Sequence, residues 1–181
     1  MLYDMREKKN IIELTRLSVE EYKESAKLPL IVVADNVRSL HNVGSLFRTA
    51  DSFGLAGIVL GGISGTPPHP ELSKSALGAE ESVDWIHVDS AYDYCVAKAA
   101  QGWKVLALEQ AHDSVRLEEL EIGPEDALVL VVGNEVTGVD QRIVSMASAV
   151  VELPMRGVKH SLNVSVSAGI AMYSLALRVG L

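Results

Sequence analysis

Three polar segments of the sequence combine glycines with side chains that can move a proton or hold a substrate. They are NVRSLHNVGS at 36–45, GNEVTGVD at 133–140 and PMRGVKHSLN at 154–163. Glycine allows a backbone to approach a ligand closely. Carboxylate, amide and hydroxyl groups are typical of sites for acid–base chemistry and substrate orientation. Each segment alone is a weak indication, so its value depends on whether the fold brings it to the other two.

Single residues in or beside these segments have both a structural and a functional interpretation. Arg48 lies one turn after Ser45 on a predicted helix, so we expect a partly buried stem whose head meets a polar partner. Glu135, taken alone, is better explained as a solvent-facing acid in a tight turn. Ser161 has the ordinary alternative role of a helix N-cap. Asn163 is predicted inside the first turn of an apolar helix, where asparagine has no evident structural role.

Several common types of site are missing from the sequence. No GxGxxG follows the first predicted strand, and neither GxxxxGK[ST] nor GxSxG occurs. The five histidines show no metal-ligand spacing. Cys95 is the single cysteine, which excludes a disulfide framework and favours a small core residue in a reducing cytoplasm. The sequence therefore argues against a classical NAD-binding protein, a P-loop protein and a serine hydrolase.

The elements that must position the polar segments alternate between strand and helix patterns. Strands are predicted for LPLIVVAD, GIVLGG, VDWIHV, WKVLALE, ALVLVV and AVVELPM. Helices are predicted for the periodic run that ends at Gly54 and for ELSKSALGA, AYDYCVAKAAQ, QRIVSMAS and LNVSVSAGIAMYSLALRV. This alternation predicts an α/β fold with a mostly parallel sheet flanked by helices, whose ligands bind at the carboxyl ends of the strands.

Length and charge set the domain organisation and the class of partner. The 181 residues are predicted to form one domain at 29–181 after an N-terminal helical extension at 1–28, where Ser18 and Glu21 form a capping box. The net charge of −8 argues against a protein that coats nucleic acid by bulk electrostatics, but it is compatible with a local basic groove. No stretch approaches the roughly 20 apolar residues of a membrane helix, so we expect a cytoplasmic protein.

In this order and spacing, the three segments resemble the SpoU/TrmH family of S-adenosylmethionine-dependent RNA 2′-O-ribose methyltransferases, part of the SPOUT superfamily. The matching motifs are HNVGSLFRTADSFG, LVLVVGNEVTGVD and ELPMRGVKHSLNVSVSAGIA, and the resemblance covers residues from 30 to 181. It implies a deep C-terminal trefoil knot at approximately 128–181, a rare exception to the usual topology. It also implies an obligate homodimer, with each site completed near the subunit interface, and S-adenosylmethionine held in the knot by backbone groups.

The resemblance further implies roles for individual residues. Cofactor-binding residues would be Gly133, Asn134, Glu135, Leu153, Met155 and Leu162. Catalytic residues would be Asn42, Arg48, Glu135, Ser161 and Asn163. Arg38, Arg156 and Lys159 would form the basic groove that binds tRNA or rRNA. No metal is implied.

The chemistry explains why such groups are needed. A ribose 2′-hydroxyl is a poor nucleophile that requires proton removal, alkoxide stabilisation and in-line placement. Mechanisms proposed for the family make the arginine a general base, but arginine stays protonated in proteins. We therefore favour a charged Arg48 that binds the neighbouring phosphate and stabilises the alkoxide. Ser161 would orient the ribose or a water, while Asn42 and Asn163 would hold Arg48 and the loops in place.

Two other functions remain as alternatives, and the sequence departs from the family in places. A non-catalytic RNA-binding relative would not need all the implied catalytic residues, and an unrelated nucleotide-binding enzyme is disfavoured by the missing phosphate motifs.

Asn134 stands where the family often has a small residue, and the segment before Asn42 is longer than is usual in the family. With 28 residues ahead of the domain, we expect the catalytic dimer itself to recognise RNA, and the segment at 61–85 to border the RNA site.

Overall fold

The structure, a computed structural model, describes residues 7–10, 13–14 and 16–181, so part of the predicted extension at 1–28 lies outside it. The strands are β1 (Leu28–Asp35), β2 (Leu55–Gly61), β3 (Trp85–Val88), β4 (Lys104–Leu108), β5 (Val115–Arg116), β6 (Leu128–Val132) and β7 (Ala149–Glu152). The helices are α1 (Val19–Glu24), α2 (Leu40–Phe53), α3 (Pro70–Ala76), α4 (Ala79–Ser82), α5 (Ala91–Ala100), α6 (Gln141–Met146) and α7 (Val164–Val179). Among the described residues, no helix is long and apolar enough to span a membrane.

The described strands form one seven-stranded sheet in the order β3-β2-β1-β6-β4-β7-β5, and all its pairings are parallel. This confirms the predicted α/β architecture. From β1 the chain continues through β2 and β3 on one side, whereas β6, β4 and β7 lie on the other side. Ligands of parallel sheets bind at the carboxyl ends of strands beside such a switch in direction. The loops that follow β1 and β6 meet at this place.

Apolar side chains cover the sheet on both faces. One core contains Leu30 and Leu130 together with residues of α2, α3, α4 and α7, and the other contains Val33 and Val131 with residues of α5 and α6. Because both faces are covered, consecutive strand residues are apolar instead of alternating with polar ones. Cys95 is fully buried in the second core, and burial raises the pKa of its thiol to about 12. The predicted core role of this cysteine is confirmed.

Helix α2 begins earlier than the sequence predicted. We expected a loop through 36–45, but the helix starts at Leu40 because the Ser39 hydroxyl accepts the backbone N–H of Asn42 at 3.4 Å and caps it. The second half of the predicted loop is therefore helical. The helix ends, as predicted, at Gly54, whose φ of 65° lies in the left-handed region that favours glycine.

The connection from β4 to β6, at 109–127, contains structure that the sequence did not predict. Strand β5 pairs with β7 at the edge of the sheet, and a 3-10 turn at Leu117–Glu119 follows it. Near the end of α7, the Arg178 guanidinium donates to the carbonyls of Leu117 at 2.9 Å and Leu120 at 2.6 Å. The connection thus passes outside β7 and is then fastened to α7.

Candidate active site

A cavity of about 460 Å³ lies at the carboxyl ends of β4, β6 and β7. Its lining comes from 108–110, from 132–136 and Gly138, from 151–153 and Met155, and from 161–164 and Ser167. Cavities of this volume hold drug-sized molecules. The second and third polar segments therefore meet at one concave site, at the strand ends where the sequence predicts ligand binding.

Glu135 connects all three polar segments at the edge of this cavity. Its carboxylate accepts the backbone N–H of Arg38 at 2.9 Å and of Ser39 at 3.0 Å, and the side-chain amide of Asn42 at 2.9 Å. The amide of Asn163 donates to the side-chain oxygen of Asn42 at 3.1 Å, across 121 residues of sequence. Glu135 is thus not simply a solvent-facing acid in a turn, and that interpretation is wrong. We call Asn42, Glu135 and Asn163 the polar cluster.

The pKa of Glu135 reflects this position. Burial alone would raise the pKa of the carboxyl, but the hydrogen bonds from Arg38, Asn42 and Ser39 outweigh it and hold the pKa below its ordinary value of 4.5. An ionised carboxylate only accepts hydrogen bonds, so it orients the NH₂ of Asn42 toward itself. The oxygen of Asn42 then faces Asn163. The polar cluster is consequently a directed chain of hydrogen bonds.

The loop at 133–140 has a tight backbone that favours glycine at two positions, Gly133 and Gly138. Asn134 and Gly138 exchange backbone hydrogen bonds of 3.0 and 2.9 Å, and Gly138 has a φ of 72°. A Cβ on Gly133 would overlap the backbone of Gly138. The Asn134 side chain donates to the carbonyl of Asn36 at 2.8 Å and so ties this loop to the loop after β1. Asn134 therefore gives the loop a fastening that a small side chain lacks.

The structure brings most of the predicted site residues together. All six residues with an implied cofactor role line the cavity, namely Gly133, Asn134, Glu135, Leu153, Met155 and Leu162. Ser161 and Asn163 line it as well, and Asn42 is joined to it by its hydrogen bonds. The side chains of Arg38, Arg156 and Lys159 are exposed and lie outside the lining. Among the described residues, no cluster of three or more metal-ligating side chains occurs.

Arg48 does not have the environment that we expected. Its side chain is exposed, and within the described residues its guanidinium has neither a hydrogen bond nor an ion pair. Arg48 follows the fully buried Phe47, and the 100° turn per residue directs it to the outer face of α2, beside His41, Ser45 and Ser52. The prediction of a partly buried stem and a polar partner is wrong. Arg48 also lies outside the cavity lining.

Asn163 has a structural role that the sequence analysis missed. It is the N-cap of α7, and its side-chain oxygen accepts the backbone N–H of Ser165 at 2.9 Å. The expectation that it lies inside the first turn is wrong, because the helix begins at Val164. Ser161, the other candidate cap, makes no side-chain hydrogen bond among the described residues. Asn163 thus combines capping through its oxygen with the contact to Asn42 through its nitrogen.

Glu109, Gln110 and Glu152 line the cavity at strand ends and were missed in the sequence. The Glu109 carboxylate accepts the backbone N–H of Val139 at 3.0 Å and supports the loop at 133–140. The Gln110 side chain donates to the carbonyl of His160 at 2.8 Å and supports the third segment. Glu109 and Gln110 directly follow β4, and Glu152 ends β7. Attention to every strand end, and not only to glycine-containing loops, would have found them.

A family model described as the SpoU rRNA Methylase family matches residues 29–173 of the chain. The chain belongs to the SpoU rRNA methylase family. The family model covers β1 from its second residue, the other six strands in full and α7 as far as Tyr173. It therefore spans every element that lines the cavity and all three segments of the polar cluster.

Individual relatives of this SpoU protein agree with the family assignment. The tRNA (guanosine(18)-2′-O)-methyltransferase of Aquifex aeolicus is 31% identical over 170 residues, which are 90% of this chain and 76% of that protein. The 23S rRNA (guanosine-2′-O-)-methyltransferase of Vibrio parahaemolyticus is 31% identical over 163 residues, 89% of this chain. The chain spans only 64% of the Vibrio protein.

Solved structures show the same similarity. The crystal structure of the A. aeolicus TrmH/SpoU tRNA modifying enzyme has a TM-score of 0.78 at 30% identity, over 88% of this chain and 80% of that one. The AdoMet-bound rRNA methyltransferase from Sinorhizobium meliloti has a TM-score of 0.78 at 27% identity, over 92% of this chain and 62% of that one. The SpoU fold thus extends over nearly all of the chain.

Proposed function

We propose that this SpoU protein is an S-adenosylmethionine-dependent methyltransferase that transfers a methyl group to a ribose 2′-hydroxyl of tRNA or rRNA. The observation that carries the proposal is the polar cluster of Asn42, Glu135 and Asn163 at the edge of the cavity. The names of the Aquifex and Vibrio relatives describe 2′-O-methylation of guanosine in tRNA and 23S rRNA, and the Sinorhizobium neighbour binds AdoMet. These names support the reaction and the cofactor.

The cavity suits the cofactor. Gly133 and Gly138 present backbone groups without a Cβ, while Leu153, Met155 and Leu162 add apolar surface and further backbone groups. S-adenosylmethionine would supply the methyl group from its sulfonium, and the neutral thioether of S-adenosylhomocysteine is a good leaving group. The residues of the chain therefore have to activate and position only the ribose hydroxyl.

The exposed Arg48 is suited to the RNA. Its guanidinium is free of intramolecular partners in the described residues, and its planar fork matches a phosphate. Arg48 follows Asn42 by six residues on α2, so it lies about 9 Å further along the helix and about 120° around it, outside the cavity of its own chain. Its contact with the reacting ribose therefore depends on a site that the proposed homodimer completes. A charged Arg48 would bind the phosphate next to the target ribose and stabilise the alkoxide that develops as the methyl group is transferred and the hydroxyl proton passes to water. Ser161 orients the ribose or a water, and exposed Arg38, Arg156 and Lys159 bind the RNA backbone.

We also infer a homodimer that forms through α7. Val166, Ile170, Tyr173 and Leu177 recur at helical spacing on this helix, and each is between 46% and 52% exposed. A contiguous apolar stripe of this kind on a soluble protein marks an interaction surface. A two-fold axis would pair the same stripe of two copies. Since α7 begins beside the cavity, the second copy would lie close to the site.

We also propose that the chain forms a trefoil knot at approximately 128–181, and that an N-terminal extension at 1–28 precedes the methyltransferase domain at 29–181. The path of 109–127 around the outside of β7, and its attachment to α7 by Arg178, supports a C-terminal segment that passes through a loop of the chain. A cytoplasmic location fits the RNA substrates.

Methyl transfer from labelled S-adenosylmethionine to tRNA and rRNA tests the proposed function. The wild-type protein should label RNA, and Arg48→Ala should lose this activity while it still binds the cofactor. Arg16→Ala is a matched control, because Arg16 is exposed and has no described side-chain contact. Cofactor binding without transfer to any RNA would contradict the proposal and favour a non-catalytic RNA-binding relative.

A further inference from the structure

The charged groups of the cavity wall are all acidic. Among the described residues that line the cavity, Glu109, Glu135 and Glu152 are charged, and no lysine, arginine or histidine is present. The Glu109 carboxylate accepts the backbone N–H groups of Gln110 at 2.9 Å and Val139 at 3.0 Å, and Glu135 has the three donors already described. These two carboxylates are therefore satisfied within the protein.

Glu152 differs from the other two acids. It is partly buried at the end of β7, and within the described part of the chain its carboxylate has neither a hydrogen bond nor an ion pair. Arg116 of β5 lies in register with Glu152, but its guanidinium forms an ion pair with Glu118. The Glu152 carboxylate is therefore left without a described partner of opposite charge. The cavity is thus complementary to a positively charged ligand.

The order of the strands fixes the place of Glu152 relative to the polar cluster. Strand β4 lies between β6 and β7, so the ends of β6 and β7 are two strand spacings, or about 10 Å, apart. The polar cluster lies on the side of β6 that faces β1. The methyl group must meet the ribose hydroxyl near this cluster. Glu152 consequently lies across the cavity from the reacting sulfonium.

We propose that Glu152 binds the α-ammonium group of the methionine part of S-adenosylmethionine and thereby determines specificity for the cofactor. This inference rests on the proposed function, because it takes the cavity as the cofactor site. An ammonium group has three N–H donors, which can satisfy both free oxygens with charge-assisted hydrogen bonds. The ribose hydroxyls of the cofactor are neutral and would not compensate the charge of the Glu152 carboxylate.

Binding of three ligands to Glu152→Gln tests the assignment. S-adenosylmethionine has both cationic groups, S-adenosylhomocysteine keeps the ammonium but lacks the sulfonium, and 5′-methylthioadenosine keeps the adenosine and lacks the amino acid. Calorimetry should show that Glu152→Gln weakens the first two about tenfold or more, and 5′-methylthioadenosine less than about twofold. Glu125→Gln is the charge-matched control, since Glu125 is exposed and lies before β6, at the opposite end of the sheet. The control should leave all three affinities unchanged.

The other outcomes would overturn the assignment. A loss for S-adenosylmethionine alone would place Glu152 at the sulfonium, an equal loss for all three would place it at the adenosine, and no loss would remove it from recognition. Thermal unfolding of the ligand-free variant adds a structural check: its Tm should match that of the wild type, because the Glu152 carboxylate has no described partner in the folded protein. A lowered Tm with a general loss of binding would mean a structural role. Selective binding without methyl transfer would instead contradict the proposed function and leave the Glu152 assignment intact.

Discussion

Replacement of Glu135 by glutamine tests whether one carboxylate holds the three polar segments together. In the wild type, one carboxylate oxygen accepts from Ser39 and Asn42, and the other accepts the backbone N–H of Arg38. A glutamine oxygen can keep the first two hydrogen bonds. Its NH₂ group then faces the N–H of Arg38, so two donors oppose each other. Glu135→Ala removes all three hydrogen bonds.

The expected loss of stability follows from these contacts. An intramolecular hydrogen bond contributes about 1 kcal/mol net. Glu135→Gln loses one bond and should lower the free energy of unfolding by about 1 kcal/mol. Glu135→Ala loses three, but Glu135 is exposed as a whole and water partly replaces the missing partner, so we expect about 2 kcal/mol.

Urea denaturation at several pH values measures the loss of unfolding free energy in the Glu135 variants and shows whether the ionised carboxylate causes it. Because the folded-state pKa of Glu135 is below its ordinary value of 4.5, its stabilising contribution is present above pH 4.5 and is lost as the pH falls through the folded pKa. The difference between the wild type and Glu135→Gln should therefore be largest at neutral pH and shrink below pH 4.5. Glu125→Gln should match the wild type throughout. Equal stability of Glu135→Ala and the wild type at pH 7, or a difference that persists unchanged at low pH, would refute the reasoning.

Three other changes have distinct expected results. Arg48→Ala should leave the urea midpoint and cofactor affinity unchanged, because its side chain has no described partner, and a shift in the midpoint would reveal a structural role. Gly44→Ala should lower the free energy of unfolding by about 1–3 kcal/mol, because its Cβ would overlap the carbonyl of Leu72 on α3, and an unchanged midpoint would contradict this close packing. Ile170→Asp should convert the dimer to a monomer, as measured by light scattering after size-exclusion chromatography. Val96→Asp, at an exposed apolar position on α5, should leave the dimer intact. A wild-type protein that is already a monomer would disprove the dimer.

Local patterns were sufficient for most of the fold. The continuous apolar runs that became β1 and β6 are typical of strands covered on both faces, and the capping box at Ser18 and the glycine at Gly54 marked helix ends. Strand β5 could not be predicted, because two residues carry no periodicity and pair only where β7 is available. The insertion of β6 between β1 and β4 likewise depends on packing and not on a local pattern.

The candidate site was predictable to the extent that strand ends and motifs indicate it. The polar segments were located by their position after buried strands, but the contact between Asn42 and Glu135 joins residues 93 positions apart and no spacing rule indicates it. The environment of Arg48 was predicted incorrectly because the prediction relied on its place next to Phe47 and one turn after Ser45, whereas helical periodicity turns Arg48 to the outer face of α2. Glu109 and Glu152 stand at strand ends that the sequence indicates, but only the sheet order shows that the ends of β4 and β7 lie beside the same cavity.

The chemical position of the transferred methyl group tests the central claim most directly. RNA labelled by the wild-type protein would be digested to nucleosides and separated, with a parallel alkaline hydrolysis. Transfer to a ribose predicts label in a 2′-O-methylnucleoside and in a dinucleotide that resists alkali, because the blocked 2′-oxygen cannot attack the neighbouring phosphate. Label in a base-methylated nucleoside that is released by alkali would contradict the account.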